Sequence, residues 1–451
     1  LVDEDVTISC KRLKKGRITM DEVRDLLLNL VAEHAQFATV CTEPSMIALA
    51  AAKCRGLLGA LPDRIEARLS PGILKNALSA GLPCGDRKGP EVSAALGAVI
   101  GDDTKGLEVF DDVSREQLEI AYSIVDAGRV CVSWDKERTG IYVCVTCYGD
   151  GHEAKVIMEG SHTNVTYMSL DGVEVFRNGS SQNSSPLGSI RGLSFEDLYS
   201  ACMGTDIEKI RFLLEGAKSD LELSLEVGKA EEQKHSLIGP GDKVWPVSNG
   251  LVSSASSSCV FASVHQKVLL AISARMGGTP WPVLTSGGSG NQGIMLAIPV
   301  VSVCEVLGLE SDEATRALYL GHAVNLYVKS YMGSISCVCG AVSAGAGVAA
   351  AVSWCLSRNI VKVEQSVSMV LSALYGMLCD GAKASCALKG SIGAIQGLNA
   401  AFMVYQGVTI PEGEGIVGSS VEETLDNVGY LSEKLFSYGD TIILSRMFEN
   451  G

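Results

Sequence analysis

The spacing of apolar positions changes period along the chain. Thr19 followed by Glu22 makes the hydroxyl-to-carboxylate pattern of a capping box, and Val23, Leu26, Leu27, Leu30 and Val31 then recur at helical spacing. A second helical run is predicted over 46–61, beginning just after Pro44, a residue suited to a first helical turn. Between about 107 and 176 the pattern becomes one of short β-branched runs. The segments 141–147, 154–158, 164–169 and 173–176 predict strands, and the last two are joined across Asp171-Gly172, a strong hairpin signal.

Asn, Gly, Ser and Gln crowd 178–187, which reads as a loop. Helical signals then return. Ser194 with Asp197, and Thr205 with Glu208, each carry an acidic residue three positions after a hydroxyl, and from Leu193 onward the chain reads mostly as helix punctuated by glycine. The fold class expected is α+β. A large Gly/Ala-rich helical domain is built from 1–87 and 191–451, with a smaller antiparallel α+β domain inserted at 88–190. No period of 20 to 50 residues repeats.

Composition narrows the function classes. With 451 residues, 47% hydrophobic and 20% charged, the chain can bury two or three cores, which argues against disorder. Thirty-seven Lys plus Arg against 52 Asp plus Glu leave a net charge of −15, which repels phosphate backbones and anionic headgroups. Neither nucleic acid nor a membrane surface is an expected partner. The basic cluster Lys11, Arg12, Lys14, Lys15 and Arg17 reads as a solvated tail.

The uncharged stretch 330–357 is long enough to span a bilayer. Its section 340–351 is nearly all Gly, Ala, Ser and Val, however, and suits a buried helix whose neighbours approach closely. No charged segment followed by an apolar one stands at the start, so no secretory signal is expected and the setting is read as cytoplasmic. Base rates favour a homodimer. Fifteen cysteines, an odd number, exclude a fully paired disulfide framework and fit reduced thiols. Of these, Cys10, Cys54, Cys84, Cys131, Cys202, Cys259, Cys304 and Cys355 read as packing.

Other cysteines stand in chemical company. Cys379 and Cys386 flank Asp380-Gly381, which favours a turn, and Cys337 and Cys339 lie upstream. Thiolates in threes and fours without a nearby His favour an iron–sulfur cluster or zinc, the alternative being buried small residues. Cys144 and Cys147 form a C-x-x-C near His152, but in a strand they point to opposite faces and read as structural. The loop Ser-Gly-Gly-Ser-Gly-Asn-Gln-Gly at 286–293 precedes an apolar helix and suits a small carboxylate or a tight structural turn. It is no P-loop, since no Gly-Lys-Ser/Thr follows.

Ser161, His162, Thr163 and Asn164, between two predicted strands, suit either an amino-acid carboxylate or a polar turn. His322 and Lys329 read as core and rim. Cys41 lies in a break between helices, where the positive end of the second helix is expected to lower its pKa and make a thiolate available near neutral pH.

Together, Cys-Thr-Glu-Pro at 41–44, Ser-His-Thr-Asn at 161–164, Gly-Ser-Gly-Asn-Gln-Gly at 288–293, Val-Cys-Gly at 338–340 and Cys-Asp-Gly-Ala-Lys-Ala-Ser-Cys-Ala-Leu-Lys at 379–389 resemble one family, the L-cysteine desulfidases, related to the iron–sulfur L-serine dehydratases. The motifs occur in the family's order. The resemblance implies a [4Fe–4S] cluster on Cys339, Cys379 and Cys386, with Cys337 a competing thiol. One iron left without a protein thiolate would act as Lewis acid toward the substrate.

It further implies that Cys41 is the base that removes the α-proton. Ser161, His162, Thr163 and Asn164, with Ser289, Asn291 and Gln292, would bind the substrate's carboxylate and ammonium. The function implied is β-elimination from L-cysteine to pyruvate, ammonia and hydrogen sulfide. The alternatives are dehydration of L-serine or L-threonine by the same chemistry, and a non-catalytic iron–sulfur sensor. A pyridoxal-phosphate enzyme, the remaining competitor, would enlist Lys383 or Lys389.

Overall fold

A computed structural model describes residues 19–39, 41–83, 85–178, 186–234, 259–333 and 335–449. Cys10, Cys84, the basic cluster at 11–17 and most of the 178–187 segment lie outside them. The chain opens with α1 (Met20–His34), β1 (Phe37–Ala38), α2 (Thr42–Leu58), β2 (Arg64–Leu69), α3 (Pro71–Ala77), α4 (Pro90–Ile100) and α5 (Arg115–Asp126). Five strands follow: β3 (Val130–Trp134), β4 (Tyr142–Gly149), β5 (His152–Glu159), β6 (Val165–Leu170) and β7 (Val173–Arg177). Beyond them come α6 (Phe195–Gly204), α7 (Phe212–Lys234), α8 (Val260–Met276), β8 (Val283–Leu284), α9 (Gly290–Leu307), α10 (Ser311–Met332), α11 (Gly340–Ser357), α12 (Ile360–Leu374), α13 (Cys386–Tyr405), α14 (Val421–Lys434) and α15 (Gly439–Glu449). The class is α+β.

Local signals are realised where they are strong. Thr19 and Glu22 form the reciprocal capping box of α1, and Ser194 accepts from the Asp197 amide at 3.0 Å to start α6. Asp171 (φ 50°) and Gly172 (φ 76°) make the β6–β7 turn, both in the left-handed conformation that a two-residue hairpin requires. Thr205 is not a helix start. Its hydroxyl donates back to Ala201 O at 2.8 Å, and Asp206 instead accepts from the Glu208 amide to open a short turn before α7.

Among the described residues, six strands form a sheet ordered β3-β2-β4-β5-β6-β7. Its pairs are antiparallel except β2 with β3, which run parallel. The antiparallel insert expected at 88–190 does not take in β2, which lies upstream of 88 yet joins the same sheet, antiparallel to β4 and parallel to β3. Helices α2, α3 and α4 pack on the sheet, sharing a core of Met46, Ile47, Ile65, Leu69, Ile73, Val143, Val145 and Val156. The C-x-x-C reading holds to strand geometry: Cys147 is buried and Cys144 only partly so, three apart on β4. Cys54, Cys202, Cys304 and Cys355 are buried as expected, whereas Cys131 and Cys259 are exposed and pack nothing away from solvent.

The larger core lies among the helices. α11 is buried along most of its length, against α10 and α13. A Cβ on Gly397 of α13 would stand 2.6 Å from the carbonyl oxygen of Gly345 of α11. The absence of side chains at such crossings lets backbones touch, which is why this region of the sequence is Gly/Ala-rich. Helices α9 and α11 are long and apolar enough to cross a membrane, but 72% and 83% of those windows are buried inside the fold.

Candidate functional site

Four helices among the described residues begin at one cleft. Cys41 is the N-cap of α2, Ser289 of α9, Cys339 of α11, and Cys386 is the first residue of α13. Helix N-termini carry partial positive charge and free N–H groups, so their convergence favours thiolates and carboxylates. The cleft encloses about 910 Å³, its open mouth included, and is lined by Cys41, Glu43, His162, Ser289, Asn291, Gln292, Lys329, Cys339, Cys379 and Cys386 among others.

Short pairings join segments far apart in sequence. β1 pairs with β8, Phe37 opposite Leu284 and Ala38 opposite Val283, which sets the loop before Cys41 beside the glycine-rich loop. The Thr42 hydroxyl then donates to Gly288 O at 3.0 Å, and the Gly288 amide to His34 O at 3.3 Å. Gly288 itself (φ 73°) lies against His162, whose Nδ1 would be 3.2 Å from a Cβ there. On the other wall, Val338 and Leu378 form an antiparallel bridge. The Cys339 amide donates to Met377 O and the Cys379 amide to Cys337 O, each at 2.7 Å, bringing Cys339 and Cys379 side by side.

The predicted site residues divide in three. Cys41, His162, Ser289, Asn291, Gln292, Cys339, Cys379 and Cys386 meet in the cleft. Ser161 and Thr163 line a smaller cavity behind His162, with Glu33, His34 and Thr285. Asn164 lines neither. Its Nδ2 donates to Glu159 O at 2.9 Å, closing the β5–β6 turn, so its side chain serves the hairpin. Cys337 is buried away from this cleft, facing Phe436 O at 3.4 Å and a third cavity, which leaves Cys339 as the upstream thiol of the cleft.

Cys41 departs from the expected low-pKa thiol. Burial, and then the neighbouring Glu43 carboxylate, push it well above the ordinary thiol range against the opposing pull of Arg275. Its Sγ–H donates to Glu43 Oε2 at 2.9 Å. Burial alone would raise Glu43 as well. His162 beside it and hydrogen bonds from Cys41 and Asn76 nevertheless bring its carboxyl below the usual range. His162 is held below the ordinary imidazole value by burial, and its Nε2 has no hydrogen-bond partner among the described residues.

Sequence reasoning gave Glu43 no role although it stands in the Cys-Thr-Glu-Pro motif, and missed Asn76 and Arg275. Lys329, read as rim, is a buried amine in the cleft wall. Burial lowers it to about 8, while Glu43 and Cys379 pull the other way, and its Nζ donates to Gly287 O at 2.7 Å. Arg275 donates to Asn291 Oδ1 at 3.1 Å, and Asn325 donates to Gln292 Oε1 at 3.1 Å, fixing both amides. His322 is core, as expected. Lys383 and Lys389 both pair with Asp380, so neither is a free amine at the cleft.

The three cleft thiols suit an iron–sulfur cluster by the chemistry of their surroundings. Cys339 shares a hydrogen bond with Cys379, which with the Lys75 ammonium holds the Cys379 thiol below its ordinary range. The Lys383 amide points to Cys386 Sγ at 3.5 Å, and Lys389 adds positive charge toward Cys339 and Cys379. Cations and N–H groups around thiolates are what an anionic cluster requires. Among the described residues, no three His, Cys, Asp or Glu side chains already converge as ligands to a single ion. The fit therefore rests on the donor set and its electrostatic setting.

Fold and cleft together define a class: a mixed α+β protein with a thiol-lined centre where helix N-termini meet. The chain belongs to the serine dehydratase alpha chain family, whose model matches residues 104–445. It is 31% identical over 436 residues to a UPF0597 protein of Clostridium botulinum (strain Hall), a match covering 95% of this chain and 98% of that protein. A UPF0597 protein of Moorella thermoacetica is 34% identical over 402 residues, covering 89% and 92%. One of Bacteroides fragilis is 32% identical over 433 residues, covering 95% and 99%.

Proposed function

We propose that this protein is an iron–sulfur-dependent lyase that eliminates sulfide from L-cysteine, giving pyruvate, ammonia and hydrogen sulfide. The observation that carries this reading is the meeting of Cys41, His162, Ser289, Asn291 and Gln292 with three thiols in one cleft. Cys339, Cys379 and Cys386 would hold a [4Fe–4S] cluster, which when bound supplies Lewis acidity toward the substrate's carboxylate and leaving group.

The chain's own groups do the rest. Helix N-termini at Ser289 and Cys41 favour the substrate carboxylate. His162, Asn291 and Gln292 supply polar atoms to its carboxylate and ammonium, and Ser161 and Thr163 belong to this reading through the loop they share with His162. Binding at these groups turns the Cα–H toward Cys41, where orientation contributes on the order of 7 kcal/mol in the best cases. Cys41 takes the α-proton, and the aminoacrylate product hydrolyses to pyruvate and ammonia.

Dehydration of L-serine or L-threonine by the same groups is the second reading, favoured by the description of the matching family. Sulfur is a softer ligand to iron than oxygen, which favours cysteine. The test is pyruvate formation by anaerobically purified, cluster-reconstituted protein given L-cysteine or L-serine in parallel. Preference for cysteine with stoichiometric sulfide supports the desulfidase, and preference for serine moves the protein to the dehydratases. Pyruvate from neither, with iron bound, overturns both. Cys41→Ser should lose turnover while keeping its iron, whereas an iron-dependent response that survives this change would mark a sensor.

A further inference from the structure

We propose that Glu43 is the residue that takes the substrate's α-ammonium, so that the cleft selects free α-amino acids, an inference that rests on the lyase reading above. Glu43 is the one acidic side chain among the described residues that line the cleft. The charges facing it are positive: Lys329 from α10, Arg275 from α8 and the N-termini of four helices. These suit the carboxylate of a zwitterion and repel its ammonium. The amide oxygens of Asn291 and Gln292 are already engaged by Arg275 and Asn325, at 3.1 Å each.

Glu43 is held as a fixed, ionised acceptor. It is 7% exposed in the first turn of α2, where the helix terminus favours negative charge. Asn76 of α3 donates to Oε1 at 2.8 Å and the Cys41 thiol to Oε2 at 2.9 Å. Both donors are neutral, so they orient the carboxylate without cancelling its charge. Lys329 donates its Nζ to Gly287 O at 2.7 Å instead. A carboxylate oxygen accepts more than one hydrogen bond, so Oε2 can receive an ammonium beside the thiol. A carboxylate that served only the helix dipole would be better left in water, since burying its charge is costly.

An ammonium on Oε2 brings the Cα attached to it next to Cys41 Sγ, which lies 2.9 Å from the same oxygen. Glu43 contributes its charge alone, and the Cys41 proton stays on sulfur in the empty cleft. That charge also discriminates. A free amino acid gains an ion pair in a buried setting, whereas 2-oxo acids, 2-hydroxy acids and N-acylated amino acids bring a carboxylate and no positive charge. Pyruvate, the product of the proposed reaction, falls in the rejected class.

The test compares L-alanine with propionate, which differ only in the ammonium and carry no leaving group. Binding of each to cluster-reconstituted wild type, Glu43→Gln and Glu43→Asp is measured by anaerobic isothermal titration calorimetry. Wild type should prefer L-alanine. Glu43→Gln should bind L-alanine about 10- to 100-fold more weakly, the effect of losing a buried hydrogen bond to a charged group, and propionate at least as tightly as wild type does. Glu43→Asp should keep part of the preference.

A wild type without preference for L-alanine overturns the proposal, as does a Glu43→Gln variant that keeps that preference. Equal weakening of both ligands also overturns it, since that is the mark of a merely structural role. If Glu43→Gln does not fold, Glu43→Asp decides: a loss confined to L-alanine supports the assignment, and an unchanged or uniform effect overturns it. Neither ligand reacts, so the outcome is independent of turnover. A wild type that makes no pyruvate fails the lyase reading on its own account, while the L-alanine preference still decides whether Glu43 holds the ammonium.

Discussion

Lys75 Nζ donates to the carbonyl oxygen of Cys379 at 2.9 Å, across 304 residues of sequence. The same nitrogen, with its side chain 0% exposed, pairs with Asp440 Oδ1 at 2.5 Å. One buried ammonium therefore ties α3 and α15 to the loop that carries a cleft thiol. Lys75→Met should destabilise the protein by about 3 kcal/mol, because breaking a buried pair leaves the partner charge uncompensated. Urea unfolding measures this, and adding Asp440→Asn should restore part of the loss. Unchanged stability in Lys75→Met would show that the pair is not clamping the fold.

Serine in place of Cys339, Cys379 or Cys386 should each abolish stable iron retention after anaerobic reconstitution, read as iron and sulfide per chain and as visible absorbance. Cys337→Ser should retain iron, since that thiol faces Phe436 O and the third cavity. Loss of iron in Cys337→Ser with retention in Cys339→Ser would reverse the choice of upstream ligand.

His322 is fully buried on α10, and burial lowers it to about 3. A depressed folded-state pKa means the unfolded chain takes up the proton first, near 6.5, so stability is present above that value and lost as pH falls toward 3. Between pH 7 and 5 this one residue should cost about 2 kcal/mol. His322→Leu should therefore flatten the pH dependence of urea unfolding at pH 5 by about one proton. An unaltered slope would show that His322 does not carry this acid sensitivity.

Asn164→Ala removes the hydrogen bond to Glu159 O and should cost about 1 kcal/mol of stability. Since this side chain lines neither cavity at His162, the KM for the substrate should hold, whereas His162→Ala should raise it. A large KM increase in Asn164→Ala would return it to the substrate site.

What was legible in the sequence was what is encoded over a few neighbouring positions. Thr19 with Glu22, Ser194 with Asp197 and Asp171-Gly172 each build their element from contacts within four residues, and each appears where its signal stands. β2 was missed because its reason for being a strand lies in β3 and β4, more than 60 residues on. Cys41 was found, but its titration was misjudged: the helix terminus is visible locally, while burial and the hydrogen bond to Glu43 come only with packing. Lys329 and Arg275 sit in the buried stretches of α10 and α8, where nothing local separates a charge that lines a cleft from one that merely tolerates burial.

The β1–β8 pairing and the Val338–Leu378 bridge also impose an order of events. A chain emerging from the ribosome carries Cys41, Glu43 and His162 early, yet among the described residues the strand that pairs with β1 comes only at 283–284, and Cys339, Cys379 and Cys386 all fall in the final quarter of the sequence. Contacts of such long sequence separation form late and slowly. On the proposed function, a cluster would therefore be inserted only after Cys386 is made, and a product released before that point would carry Cys41 and His162 without the full set of proposed sulfur donors.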